Sequence, residues 1–121
     1  MDWAACRELS TAALGRLAEE RVCRFLRTRG IAILARNVVL GSGEIDILAR
    51  IGDERTLLEV RSTRTRAQAA WPPPQMLAAF DYRKAQQVRK MARMSRCRRI
   101  DVIVVRFHEG GIDLHWVPRA A

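Results

Sequence analysis

Apolar residues recur at intervals of three and four between residues 10 and 29, where Leu14, Leu17, Ala18, Val22, Phe25 and Leu26 form one stripe. That spacing is the period of an amphipathic helix, with Ser10 or Thr11 placed to cap its start and Gly30 to stop it. The pattern then changes. Residues 31–40 are rich in β-branched side chains and predict a strand, Gly41-Ser42-Gly43 a turn, and residues 44–51 and 55–63 two more strands. Gly52-Asp53 between them fits a two-residue hairpin with glycine first, the type II′ preference. Pro72-Pro73-Pro74 marks a loop, because neither a helix interior nor a central strand accommodates it. Asp81 can cap a second helix that runs to Met94, with Ala85, Val88, Met91 and Ala92 on its apolar stripe. Its other face carries Arg83, Lys84, Arg89, Lys90 and Arg93. Residues 100–107 (IDVIVVRF) are nearly continuous in β-branched side chains, as a central strand buried on both faces would be. After a turn at Gly110-Gly111, residues 112–117 alternate as a last strand. The order αβββαββ predicts an α/β fold with a single mixed sheet flanked by helices.

The length of 121 residues suits one domain, residues 1–121, with a core over about residues 10–117. A hydrophobic content of 49% supplies that core and excludes disorder for most of the chain. No apolar run approaches a bilayer-spanning length, and the first residues (MDWAACRELS) lack the basic flank and apolar stretch of a signal peptide. A soluble cytoplasmic protein is expected, with monomer and homodimer both open. Cys6, Cys23 and Cys97 are odd in number and form no CxxC, so they offer neither a disulfide framework nor a zinc ligand set.

Charge adds a partner class. Lys and Arg number 22 against 13 Asp and Glu, a net +9, and 20 of the 22 are Arg. Residues 61–99 hold 11 of the basic residues, Arg64 and Arg66 among them, and only Asp81 as an acid; the rest of the chain sums to −1. Charge so unevenly placed reads as a polyanion-binding face, since the guanidinium fork pairs with phosphate bidentately. The plainer alternative is a solvated surface in an arginine-biased sequence.

The candidate chemistry comes from the hairpin. A turn centred on Gly52-Asp53 pairs residues whose numbers sum to 105, which sets Asp46 across from Glu59. Directly opposed side chains have Cβ atoms about 5 Å apart, and like charges so placed destabilise a sheet. Alternation assigns Ile45, Ile47, Leu58 and Val60 to the core-facing side and Asp46, Glu59 and Arg61 to the other. Either Arg61 neutralises the two acids, or a hard divalent cation does. On the first helix Glu19 falls at the border of the apolar stripe and can tuck against the sheet, whereas Glu20 points to solvent. His108 and His115 do not have the spacing of a helical metal pair, and no catalytic histidine is placed beside Cys97. Trp71 and Tyr82 could stack on bases, although closing a loop onto the core is the more common use of such residues. The chain contains no GxGxxG, P-loop or HExxH, so nucleotide-cofactor and zinc-protease chemistries find no support.

Gly15 and Glu19, then RGIAILARN, GSGEIDILAR and LLEVRSTR, then the basic helix around Lys84 and the strand Arg99-Ile100-Asp101-Val102, together resemble the YraN family of small bacterial proteins. The likeness covers about residues 12–117, and its most specific part is the GEID to EVR pairing. That family resembles the PD-(D/E)xK nucleases, whose fold is like those of restriction endonucleases and Holliday-junction resolvases. The resemblance implies Asp46 and Glu59 as ligands for Mg²⁺ or Mn²⁺, aided by the backbone carbonyl of Val60, with Glu19 as the helix acid and Arg61 in the place of a catalytic lysine. Arg61 departs from the pattern in a way that matters. A guanidinium stays protonated, which closes general-base roles to it and leaves electrostatic stabilisation open. The stretch AAWPPPQMLAAF also departs, as does Ala85 where glutamine is expected after Lys84. The expected function is a metal-dependent endonuclease acting on DNA, with Asp46, Glu59, Arg61 and Glu19 in the site and Arg64, Arg66, Arg83, Lys84, Arg89, Lys90 and Arg93 on the nucleic acid. The alternative is a catalytically inactive nucleic-acid-binding module on the same fold.

Overall fold

The structure is a computed structural model that describes residues 3–41, 43–66, 71 and 82–121. Its elements run α1 (Trp3–Glu8), α2 (Thr11–Thr28), β1 (Ala32–Leu40), β2 (Gly43–Ile51), β3 (Glu54–Arg64), α3 (Tyr82–Met94), β4 (Arg99–His108) and β5 (Gly111–Val117). All five strands join one sheet in the order β1-β2-β3-β4-β5. Every neighbouring pair is antiparallel except β3 and β4, which run parallel and are joined through α3. The fold is therefore α/β with a single mixed sheet, as the sequence pattern predicts. The short helix α1 is an addition to that prediction.

Local chemistry explains the element limits. Ser10, in extended conformation, accepts from the Ala13 N–H at 3.1 Å and so caps α2. The helix stops at Gly30, whose φ of 74° is a left-handed value that glycine adopts without strain. The β2–β3 hairpin pairs Ile51 with Glu54, Leu48 with Leu57 and Ile47 with Leu58. Those numbers sum to 105, and Gly52 turns at φ 62°, as a glycine-first hairpin requires. β4 lies between β3 and β5 and is buried along nearly its whole length. The expectations for Ser42, Pro72-Pro73-Pro74 and an Asp81 cap lie outside the described residues.

Two apolar layers sandwich the sheet. Beneath α2, residues Ala18, Val22 and Leu26 meet Ile47, Leu58, Ile103, Val105 and Phe107. Beneath α3, residues Val88, Met91 and Ala92 meet Ile45, Leu57 and Ile100. The second layer is close: a Cβ at Gly43 would stand 2.5 Å from the Met91 sulfur, so β2 can pass under α3 there only as glycine.

This division corrects one expectation, since Ile45 and Ile47 belong to opposite layers and not to a common core face. The cause lies next door in β1. Asn37, between the pairs Arg36↔Ile47 and Val38↔Ile45, has φ 53° and leaves the extended region. Arg36 accordingly reaches Glu20 on α2, while Val38 packs into the α3 layer. The pleat inverts at the level of Asp46.

Near the other edge, Asp101 is fully buried and fully satisfied. It accepts from Arg99 Nε and Nη2 at 2.9 Å each, from Trp116 Nε1 at 2.7 Å and from the Arg119 N–H at 2.9 Å. This carboxylate ties the segment after β5 back onto the sheet.

Candidate metal centre

The β2–β3 ladder ends at Ile47↔Leu58. Beyond it, β2 continues only against β1 and β3 only against β4, so the two hairpin strands part at Asp46 and Glu59. The Asp46 side chain bridges the opening, with Oδ2 accepting the Val60 N–H at 2.9 Å. A carboxylate thus takes the place of a ladder carbonyl, and the acid is fixed by β3 while its other oxygen is left for chemistry.

Glu59 stands on the α3 side of β3. Lys84, in the first turn of α3, brings Nζ to 3.4 Å from Glu59 Oε1. The Glu59 side chain is only 13% exposed, and its Oε2 is buried without a hydrogen-bond partner. A buried carboxylate oxygen left in that state is costly unless something positive or hydrogen-bonding arrives.

Asp46 shows the same demand. Its carboxyl is pushed up to about 7, chiefly by burial and next by the negative charge of Glu59; the Val60 N–H opposes the shift and Glu19 and Glu44 add to it. Glu19 reaches towards this group from α2, where burial raises its carboxyl against the counter-charge of Arg36, with Glu44 and Glu59 contributing further upward pressure. Asn37 holds the flank: with its amide nitrogen directed at the two acids, it donates to Glu19 Oε1 at 2.8 Å and to Glu44 Oε1 at 3.0 Å.

Four carboxylates are therefore close enough to feel one another at the point where the sheet opens. Among the described residues, no three His, Cys, Asp or Glu side chains form a ready-made metal cage. The donor set that suits a hard cation is the pair Asp46 and Glu59, whose oxygens are the kind Mg²⁺ and Mn²⁺ take and whose desolvated charge and orphaned Oε2 both call for a positive partner. For Val60, the contact seen at the site is its N–H on Asp46. Arg61 follows Glu59 by two on β3, which places it on the same face, half-buried beside Val104.

The remaining candidates separate. Arg66, Arg83, Arg89, Lys90 and Arg93 are exposed, the last four along the outer side of α3. Arg64, expected on the nucleic-acid face, is instead engaged with α1: its Nη1 donates to the carbonyls of Cys6 at 2.9 Å, Arg7 at 3.3 Å and Leu9 at 2.6 Å. Those are carbonyls that a helix end leaves open, and Arg64 satisfies them. Glu19 is tucked in and Glu20 is exposed, paired with Arg36, as their positions on the helix imply. His108 approaches Asp113, whereas His115 meets the edge of Trp71 at 6.3 Å. Trp71 also covers the guanidinium of Arg106, 4.7 Å from its ring centre.

Two participants escape sequence reasoning, Glu44 and Asn37. The signal for Glu44 is its period-two spacing from Asp46; for Asn37 it is an asparagine amid β-branched residues, the residue type after glycine most at ease at positive φ.

Comparisons with known proteins agree on a family. Residues 18–105 match the profile described as uncharacterised protein family UPF0102. A UPF0102 protein of Thermotoga neapolitana is 34% identical over 103 residues, covering 81% of this chain and 90% of that one. A UPF0102 protein of Pseudomonas aeruginosa is 33% identical over 117 residues, covering 88% and 90%. Among solved structures, that of SSO0001 aligns with a TM-score of 0.42 and 12% identity over 90% of this chain, which spans 52% of its partner's length.

Proposed function

The chain belongs to the UPF0102 family, which is the YraN family its sequence resembles, and from its carboxylate site we propose that it is a divalent-cation-dependent endonuclease acting on DNA phosphodiesters. The observation that carries this reading is the pair Asp46 and Glu59 at the parting of β2 and β3, one carboxyl pushed up to about 7 and the other with a buried, unpartnered oxygen. A structural site has no use for such a pair; a site that binds a cation and a phosphate does.

Asp46 and Glu59 hold the Mg²⁺ or Mn²⁺, and Glu19 adds negative charge behind them. When bound, the cation lowers the pKa of a coordinated water and offsets charge on the phosphate. The Val60 N–H keeps Asp46 aimed into the opening. Arg61 donates to a phosphate oxygen and stabilises the charge that builds there; it takes no proton, because a guanidinium has none to exchange at neutral pH. Arg83, Arg89, Lys90 and Arg93 line an exposed helix face suited to the sugar-phosphate backbone. No helix among the described residues is long and apolar enough to cross a membrane.

The test is incubation of labelled linear, flapped and four-way DNAs with the protein and Mg²⁺ or Mn²⁺, against a chelator control. Cation-dependent cleavage of at least one substrate is expected. Binding without cleavage under every condition would replace the enzyme by the inactive binding module, the reading that Arg61 in place of a titratable amine favours.

The basic face has its own measurement. Arg89 and Lys90 replaced together by Ala should weaken DNA binding and flatten the slope of log K against log salt by about 1.8, at roughly 0.9 for each phosphate no longer neutralised. An unchanged slope with affinity intact would return that face to ordinary solvated surface.

A further inference from the structure

The Lys84–Glu59 pair joins two elements with no local reason to meet there. Lys84 is the third residue of α3, and that first turn carries Arg83 and Lys84 but no acid, the reverse of what a helix dipole favours at its N-terminus. Positive charge gathered at that end is opposed by the dipole and by Arg61 on the facing strand, so it is stable only with an anion in front. Glu59 supplies one through Oε1, at 3.4 Å from Nζ. Oε2 of the same carboxylate remains buried and unpartnered, so one ammonium does not satisfy the site. Lys84 itself is about one-third exposed, on a flexible four-carbon stem, and can move by several ångströms without disturbing α3.

A divalent cation on Asp46 and Glu59 competes with that ammonium for the same carboxylate. Resting on the nuclease reading, we propose that Lys84 occupies Glu59 as a counter-charge while the site is empty of metal and, once a cation has taken Glu59, turns onto a non-bridging oxygen of the scissile phosphodiester and orients it. The amine stays protonated in both positions, so no proton or bond is asked of it. Its advantage over Arg61 is geometric. Arg61 is anchored at its base to the sheet beside Val104, whereas Lys84 approaches from the helix above, and a phosphate entering between them meets a donor on each side.

Three variants test this: Lys84→Gln, Lys84→Arg, and Lys84→Gln combined with Arg61→Lys. Lys84 lies in an exposed helix turn, and thermal melts of each variant should stay close to the parent. With DNA absent, Lys84→Gln should bind Mn²⁺ about three- to tenfold more tightly, since a competing positive charge has left Glu59. Single-turnover cleavage at saturating DNA should fall by about 100-fold, while DNA affinity changes by less than about threefold. Lys84→Arg restores DNA affinity but little of the rate, and an amine returned on β3 by Arg61→Lys restores part of the rate. A Lys84→Gln variant with unaltered Mn²⁺ affinity, or with the parent's cleavage rate, overturns the proposal and leaves the nuclease reading standing. A parent protein that cleaves nothing overturns both.

Discussion

Asp46→Asn should abolish cation-dependent cleavage, by about 10³-fold or more, and at the same time make the metal-free protein more stable at neutral pH. The two effects share one cause. In the unfolded chain this carboxyl titrates near 3.8, and in the folded protein burial, followed by the charge of Glu59, pushes it up to about 7. Between those values the folded state retains a proton that the unfolded state has released, so stability falls as pH rises from about 4 to 7. Asparagine carries no such penalty, and its side-chain oxygen can still accept the Val60 N–H. The gain should be about 2 kcal/mol above pH 7, roughly half the full linkage because the site is partly open to solvent, and should vanish near pH 4. Urea unfolding in chelator at pH 4 and pH 8 measures it. A variant less stable than the parent at pH 8 would mean that the carboxylate holds the fold together and is not kept there for binding.

Asp101→Ala should do the opposite, with a large loss of stability and no direct effect on chemistry. It strands both Arg99 donors, Trp116 Nε1 and the Arg119 N–H around a buried hole. Removing one member of a buried charged pair costs about 3–5 kcal/mol, which for a chain of this size lowers the melting temperature by about 10–20 °C. The cleavage rate per folded molecule, measured well below the midpoint, should match the parent. A loss under about 1 kcal/mol would show that the network contributes little to the fold.

These two acids differ in how far the sequence reveals them. Asp46 is legible because Gly52-Asp53 admits only a two-residue turn, and the turn fixes the register that sets Asp46 level with Glu59. The limits of α2 are legible for a similar reason, since Ser10 and Gly30 each act on their own segment. Asp101 depends on Trp116 and Arg119, 15 and 18 residues further on, brought back by β5. Nothing local signals that. α1 is six residues long, too short to show a helical period, and its final carbonyls are satisfied by Arg64, 58 residues from Cys6. The inversion at Asn37 eludes a rule of strict alternation because one left-handed residue resets the pleat, and with it the side on which Ile45 lies. Lys84 reads on a helical wheel as one more basic residue; its place over Glu59 emerges only from how α3 crosses β3.

The account stands on Asp46 and Glu59 sharing a divalent cation, and Mn²⁺ provides the direct measurement. Chelator-treated protein is titrated with Mn²⁺ while the free ion is followed by its paramagnetic resonance signal, for the parent, Asp46→Asn and Glu59→Gln. The parent should show one saturable site, weakened by about tenfold or more in each variant, since each loses a charged oxygen ligand. Superimposable isotherms for all three proteins, or no saturable binding to the parent, would contradict it.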